Sequence, residues 1–147
     1  MNNLKEIIDK IIRDAFPELM SEDIKIEYKS LNDALLECGS LTGEGFYIEV
    51  DTTLENAPVE VKEGGLAHEL AHVSKDRDKR LISKLRDRFA SFISKRYKTL
   101  DERNTDLEVI IRGYGPQLLS FLEYSEKKGF PHYKEDGLAI REVKSLL

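Results

Sequence analysis

Along the N-terminal third of the chain, the spacing of apolar positions changes from helical to alternating. Leu4, Ile7, Ile8, Ile11, Ile12 and Ala15 recur every three or four residues, which predicts an amphipathic helix over 3–16. Asn2 or Asn3 supplies a cap and Pro17 a stop. In DIKIEYKS, residues 23–30, Ile24, Ile26 and Tyr28 then share one face while Lys25, Glu27 and Lys29 share the other. ALLECGSL at 34–41 is a second candidate strand, and GFYIEVD at 45–51 is a third, with Phe46, Ile48 and Val50 alternating against Tyr47, Glu49 and Asp51. TGEG between the last two reads as a hairpin turn. Three strands make a small sheet with one face to cover.

Everything after about residue 56 reads helical. Asn56 and Pro58 signal a helix start, and the helix runs through HELAH to about Lys75. A second, strongly basic helix is expected over 75–98, with Leu81, Leu85, Phe89, Phe92, Ile93 and Tyr97 as its apolar stripe. A third runs from about Leu100 to Arg112 and breaks at GYGP, a fourth covers about 117–127, and a short amphipathic helix follows the loop KKGFPHYKEDG. The order of elements predicts an α+β fold, organised as one domain over 1–128 and a C-terminal segment over 129–147.

Length agrees with that reading, since 147 residues suit one ordinary domain. With 40% hydrophobic and 35% charged residues the chain is expected to be compact and soluble, and no apolar run approaches a membrane span or a signal-peptide core. A cytoplasmic location is the expectation. The net charge of −5 is unevenly spread. Residues 1–74 carry 16 acidic and 6 basic side chains, and residues 75–100 carry 3 acidic and 10 basic. The basic block is either a solvated helix face or a contact for an anionic partner; a nucleic-acid partner is not expected. The single cysteine, Cys38, excludes an intrachain disulfide and is either a small buried hydrophobe or a reactive, metal-capping thiol.

GGLAHELAHV, residues 64–73, carries the chemistry, with two of the three histidines at i and i+4. That spacing puts His68 and His72 one turn apart on one helix face, within reach of a single zinc ion. Glu69 is turned away from the ligand face and flanks the metal, where it can polarise a water molecule and carry its proton. A catalytic zinc needs a third ligand and an open position. VSKDRDKR after His72 offers no nearby histidine, but TLDERNTDLEVIIRG holds Glu102 and Asp106 at i and i+4. Glu102 can ligate, and Asp106, one turn on, can accept a hydrogen bond from a ligand histidine. Gly64 and Gly65, one turn before His68, signal backbone clearance, either for packing or for a substrate.

HELAH followed by ERNTD resembles the HExxH and ExxxD pair of gluzincins, the thermolysin-like zinc metallopeptidases, and the short chain is most similar to the minimal members, the minigluzincins. The resemblance covers about residues 1–115. It implies a zincin-like fold, Zn(2+) as cofactor, His68, His72 and Glu102 as ligands, Glu69 as general base and acid, Asp106 as support for a ligand, and peptide or protein as substrate. It also implies strand addition of the peptide at a sheet edge, for which 34–41 is the candidate. Minigluzincins resemble zymogens whose C-terminal segments block the cleft, so the segment beyond GYGP is either such a block or a plain helical cap on the core. His132, Glu135 and Asp136 are the residues here that would meet the open metal position or a substrate, and the same segment is the candidate contact for a homodimer. An oxyanion donor would come from Tyr97, Tyr114, His132 or Tyr133. The alternative to a peptidase is a metal-containing regulatory or interaction module that uses helix 75–98 to meet an anionic partner.

Overall fold

The computed structural model describes residues 3–41, 45–79, 95–130 and 136–147. It is α+β, with helices α1 (Leu4–Ala15), α2 (Val59–Lys79), α3 (Lys95–Val109), α4 (Gly115–Lys128) and α5 (Ile140–Leu146). The strands are β1 (Ile24–Lys29), β2 (Leu36–Ser40) and β3 (Phe46–Asp51). The Asn3 side chain accepts from the Lys5 amide to cap α1, whose six apolar positions are all buried. Pro17 ends it by opening a short 3-10 turn, Pro17–Leu19.

The sheet has the order β1-β3-β2. β1 runs parallel to β3, with Ile26 opposite Ile48, and β2 pairs antiparallel with β3, with Cys38 opposite Ile48. The inward faces of β3 are fully apolar, since Phe46, Ile48 and Val50 are buried. This order puts β2 at one end of the sheet, and β2 is also the strand that packs on α2.

Helix α2 is the central element. Its residues from 61 to 71 are buried on every side, so each polar group there needs a partner. The partners exist. Glu63 takes the Lys10 ammonium at 2.6 Å, Lys62 donates to the Glu55 carbonyl, and the Ser74 hydroxyl donates to Glu18 at 2.7 Å. Gly64 and Gly65 provide the clearance for this burial. A methyl group on Gly64 would overlap the Gln117 carbonyl of α4, and one on Gly65 would stand 2.7 Å from Leu36 Cδ1. Of the two readings of these glycines, packing is the one the fold uses: α4 and β2 close directly on the α2 backbone.

Two boundaries differ from the sequence expectation. α2 does not stop near Lys75 but continues to Lys79, and α3 begins at Lys95 instead of Leu100. Lys75 and Arg77 are held by α3 and by Glu22, so the rise in positive charge does not mark a helix end. The proposed basic helix falls largely on 80–94, outside the described residues. The break at GYGP occurs as a wide turn over Ile110–Tyr114, with Gly113 at φ 94° and Pro116 at the start of α4. The C-terminal segment joins the main core: Leu138 and Val143 are buried in it. Among the described residues no helix is long and apolar enough to cross a membrane.

Candidate metal centre

Helices α2 and α3 converge on one point. His68 and His72 project from the same face of α2, and their Nε2 atoms stand 3.2 Å apart. Glu102, in α3, reaches both, with Oε2 at 3.1 Å from His68 Nε2 and Oε1 at 3.2 Å from His72 Nε2. The two imidazoles meet edge to face, with an interplanar angle of 78°. These three residues are the group among those described whose ligand atoms gather closely enough for a metal ion.

The grouping suits a metal ion: the closest donor pairs stand 3.1 to 3.2 Å apart, the two histidines meeting different oxygens of Glu102, and one ligand atom from each residue lies within 4.8 Å of the others. The donor set, two imidazoles and one carboxylate, is also that of a zinc site keeping one position for a water or substrate.

Asp106 completes the surroundings. Its Oδ1 lies 2.8 Å from His68 Nδ1, and it is 1% exposed. With Nδ1–H donating to this carboxylate, Nε2 is left as the free lone pair, the tautomer a ligand requires. Burial works against a charged His68, yet Asp106 and Glu102 outweigh it and hold the imidazole well above its ordinary range in the metal-free protein. Burial likewise pushes Glu102 up, but hydrogen bonds from His68 and His72 win and keep its carboxyl low.

Glu69 shares the cleft with the triad and is nearly as buried as His68. The cleft holds roughly 500 Å³, and Ala34, Leu36, Glu37 and Cys38 of the β2 edge form one wall. Leu36 lies over Gly65, and the Cys38 thiol, two residues on and on the same face, meets the Glu69 carboxylate. Burial and the neighbouring Glu69 charge push that thiol strongly up. Cys38 is thus a neutral donor to Glu69 and not a reactive thiolate.

All four principal site residues read from the sequence therefore meet, with Asp106 behind them. Asp136 lines the cleft as well, beside Gly137. His132 and Glu135 lie outside the described residues, as do Tyr133 and the side chain of Tyr97. Tyr114, a candidate for the oxyanion donor or else a packing aromatic, takes the packing role. Its hydroxyl is 3.2 Å from Asp14 Oδ2, it is 6% exposed, and burial with the Asp14 charge pushes its pKa up to about 12. It packs the wide turn after α3 against α1. Two contributors had no distinct sequence signal. One is the Cys38–Glu69 contact, and the other is the backbone N–H of Leu138, which donates to Asp106 Oδ2 at 2.8 Å.

No protein-family model, curated protein or solved structure matches this chain. Fold and site together define an α+β protein with a candidate metal centre built from two helices beside the edge strand β2.

Proposed function

We propose that the protein is a zinc-dependent metallopeptidase of the gluzincin type, cleaving peptide bonds in the cleft between α2, α3 and β2. The convergence of two histidines and Glu102 at 3.1 to 3.2 Å, with Glu69 in the same cleft, carries this reading. His68, His72 and Glu102 would hold the ion. A zinc ion there supplies Lewis acidity and makes water a nucleophile near neutral pH.

The chain's own residues do the rest. Glu69 takes the proton of the attacking water and later delivers it to the leaving amine. The Cys38 thiol donates into Glu69 and restrains its rotamer without adding a charge. Asp106 holds His68 in the ligand tautomer. β2 lies at one end of the sheet, and an extended peptide adding there as a further strand would run past the cleft that holds Glu69.

The deciding experiment is Glu69→Gln, assayed on a library of quenched fluorescent peptides alongside a zinc titration. The peptidase reading expects turnover to fall by about 10²–10⁴-fold with zinc affinity retained, because glutamine keeps the shape and the acceptor for Cys38 but cannot carry the proton. A parent protein that binds zinc yet cleaves nothing, or a variant that cleaves as fast as the parent, would point instead to a metal-containing binding module.

A further inference from the structure

Asp106 is a buried carboxylate with two demands on it. Oδ1 faces His68 Nδ1 at 2.8 Å and Oδ2 accepts the Leu138 backbone N–H at 2.8 Å. Asp106 is 1% and Leu138 2% exposed, so water does not stand in for either partner. The segment that brings the Leu138 amide there is independently anchored. Arg103 makes a two-pronged contact with Glu142 at 2.6 and 3.2 Å, and Val143 is fully buried. Lys144 pairs with Glu123 of α4 at 3.0 Å. Arg103 is the neighbour of Glu102 in α3, so one helix carries both the third ligand and the dock for the C-terminal segment.

We propose that the backbone N–H of Leu138 is a positioning group of the metal centre, so that docking of the C-terminal segment over 136–147 tightens metal binding through Asp106 and His68. The inference rests on the metal-centre reading above. Its physical basis is direct. A carboxylate held at one oxygen only can rotate about its terminal torsion, which is broad and weakly restrained. Held at both oxygens, Asp106 presents Oδ1 to His68 in one orientation, and His68 Nε2 stays aimed at Glu102 and His72. Partners behind a ligand histidine typically change metal affinity by about 10–100-fold. The amide acts one bond further out, so its loss is expected to cost about ten-fold at the lower end of that range.

Such a segment differs from a plug. Asp136 and Gly137 do line the cleft, but a segment that merely covers it has no influence on how tightly the triad holds an ion. Coupling is also reciprocal: if docking tightens metal binding, metal binding must stabilise docking by the same factor.

The test uses the full chain with zinc alone. Zinc affinity is measured by competition with a chromophoric chelator for the parent, for Leu138→Pro, which deletes the N–H, and for Leu138→Met, which keeps it along with similar bulk. The visible spectrum of the cobalt-loaded forms reports ligand geometry, and hydrogen exchange of the Leu138 amide is followed in the parent with and without zinc. The expected result is affinity about ten-fold weaker in the proline variant only, a changed cobalt spectrum in that variant, and Leu138 exchange slowed by zinc in the parent. Equal affinity in parent and proline variant, or exchange indifferent to zinc, overturns the inference. The exchange measurement needs no variant and decides the matter even if the proline form fails to fold. A parent that binds no zinc removes the metal-centre reading and this inference with it; a parent that binds zinc without these differences removes the inference alone.

Discussion

Replacing Asp106 by asparagine isolates the hydrogen-bond logic of the site, because it changes one oxygen to nitrogen and leaves the volume alone. Both Asp106 oxygens face donors when His68 is a ligand: Nδ1–H of His68 on one side and the Leu138 amide on the other. Asparagine offers one acceptor and one donor. If its nitrogen faces Leu138, two N–H groups confront each other in a buried place. If its nitrogen faces His68, the imidazole must accept at Nδ1 and carry its proton on Nε2, the atom that has to bind metal. Either orientation loses one charge-assisted hydrogen bond, worth about 1.5–3 kcal/mol where the group is buried. At about 1.4 kcal/mol per factor of ten, zinc affinity should fall by about one to two orders of magnitude. Chelator competition near pH 7.5 measures it, with circular dichroism and thermal unfolding recording that the fold is kept. A folded Asp106→Asn protein whose affinity stays within about two-fold of the parent would refute the assigned tautomer and the role of Asp106 together.

Two further outcomes test the packing and the charges. Gly64→Ala puts a methyl group into the Gln117 carbonyl, and the overpacking should destabilise the protein by about 1–3 kcal/mol, a Tm loss of about 3–10 °C by calorimetry; an unchanged Tm would contradict the close approach of α2 and α4. In the metal-free protein, His68 is raised from 6.5 and Glu102 lowered from 4.5. The His68 contribution to stability is therefore complete below pH 6.5 and lost as pH rises through its folded-state pKa, and the Glu102 contribution is complete above 4.5 and lost on acidification. The Tm difference between parent and Glu102→Gln should be largest between about pH 4.5 and 6.5 without metal, and zinc should reverse the alkaline decline, since protons compete with metal for His68. A metal-free difference that grows steadily from pH 6.5 to 9 would contradict the pairing.

The residues that were legible are those whose side chains follow a period. Six apolar positions gave the buried face of α1, alternation gave β1 and β3, and two i, i+4 pairs, His68/His72 and Glu102/Asp106, gave the facing surfaces of α2 and α3. Periodicity says nothing about which strands neighbour each other, so the parallel pairing of β1 with β3 and the place of β2 at the end of the sheet were beyond it. It also fails where a charged residue has a distant partner. Lys75 looked like a helix end, yet its ammonium reaches Thr105 at 2.5 Å and α2 runs on. Tyr114 could be read either as an oxyanion donor or as a packing aromatic, because nothing local shows that Asp14, a hundred residues earlier, takes its hydroxyl. The Leu138 amide lay furthest out of reach, since a backbone donor leaves no mark in residue type.

Contacts outside the ligand set restrict how the three groups are held. Two histidines and a glutamate within 3.2 Å form hydrogen bonds of their own, but those alone would let α2 and α3 rotate about their axes. Rotation of α2 is blocked on one side by the Gln117 carbonyl against Gly64 and on the other by Lys10 on Glu63 and Glu18 on Ser74. α3 is fixed to α2 through Lys75 on Thr105 and to the C-terminal segment through Arg103 on Glu142. Each pin lies outside the ligand set, and each helix is held on more than one side. An ion entering such a site meets donors whose positions are already restricted, so little ordering entropy remains to oppose binding. Metal affinity should then respond to residues such as Gly64, Arg103 and Leu138, which touch no metal, as well as, more strongly, to the three that would.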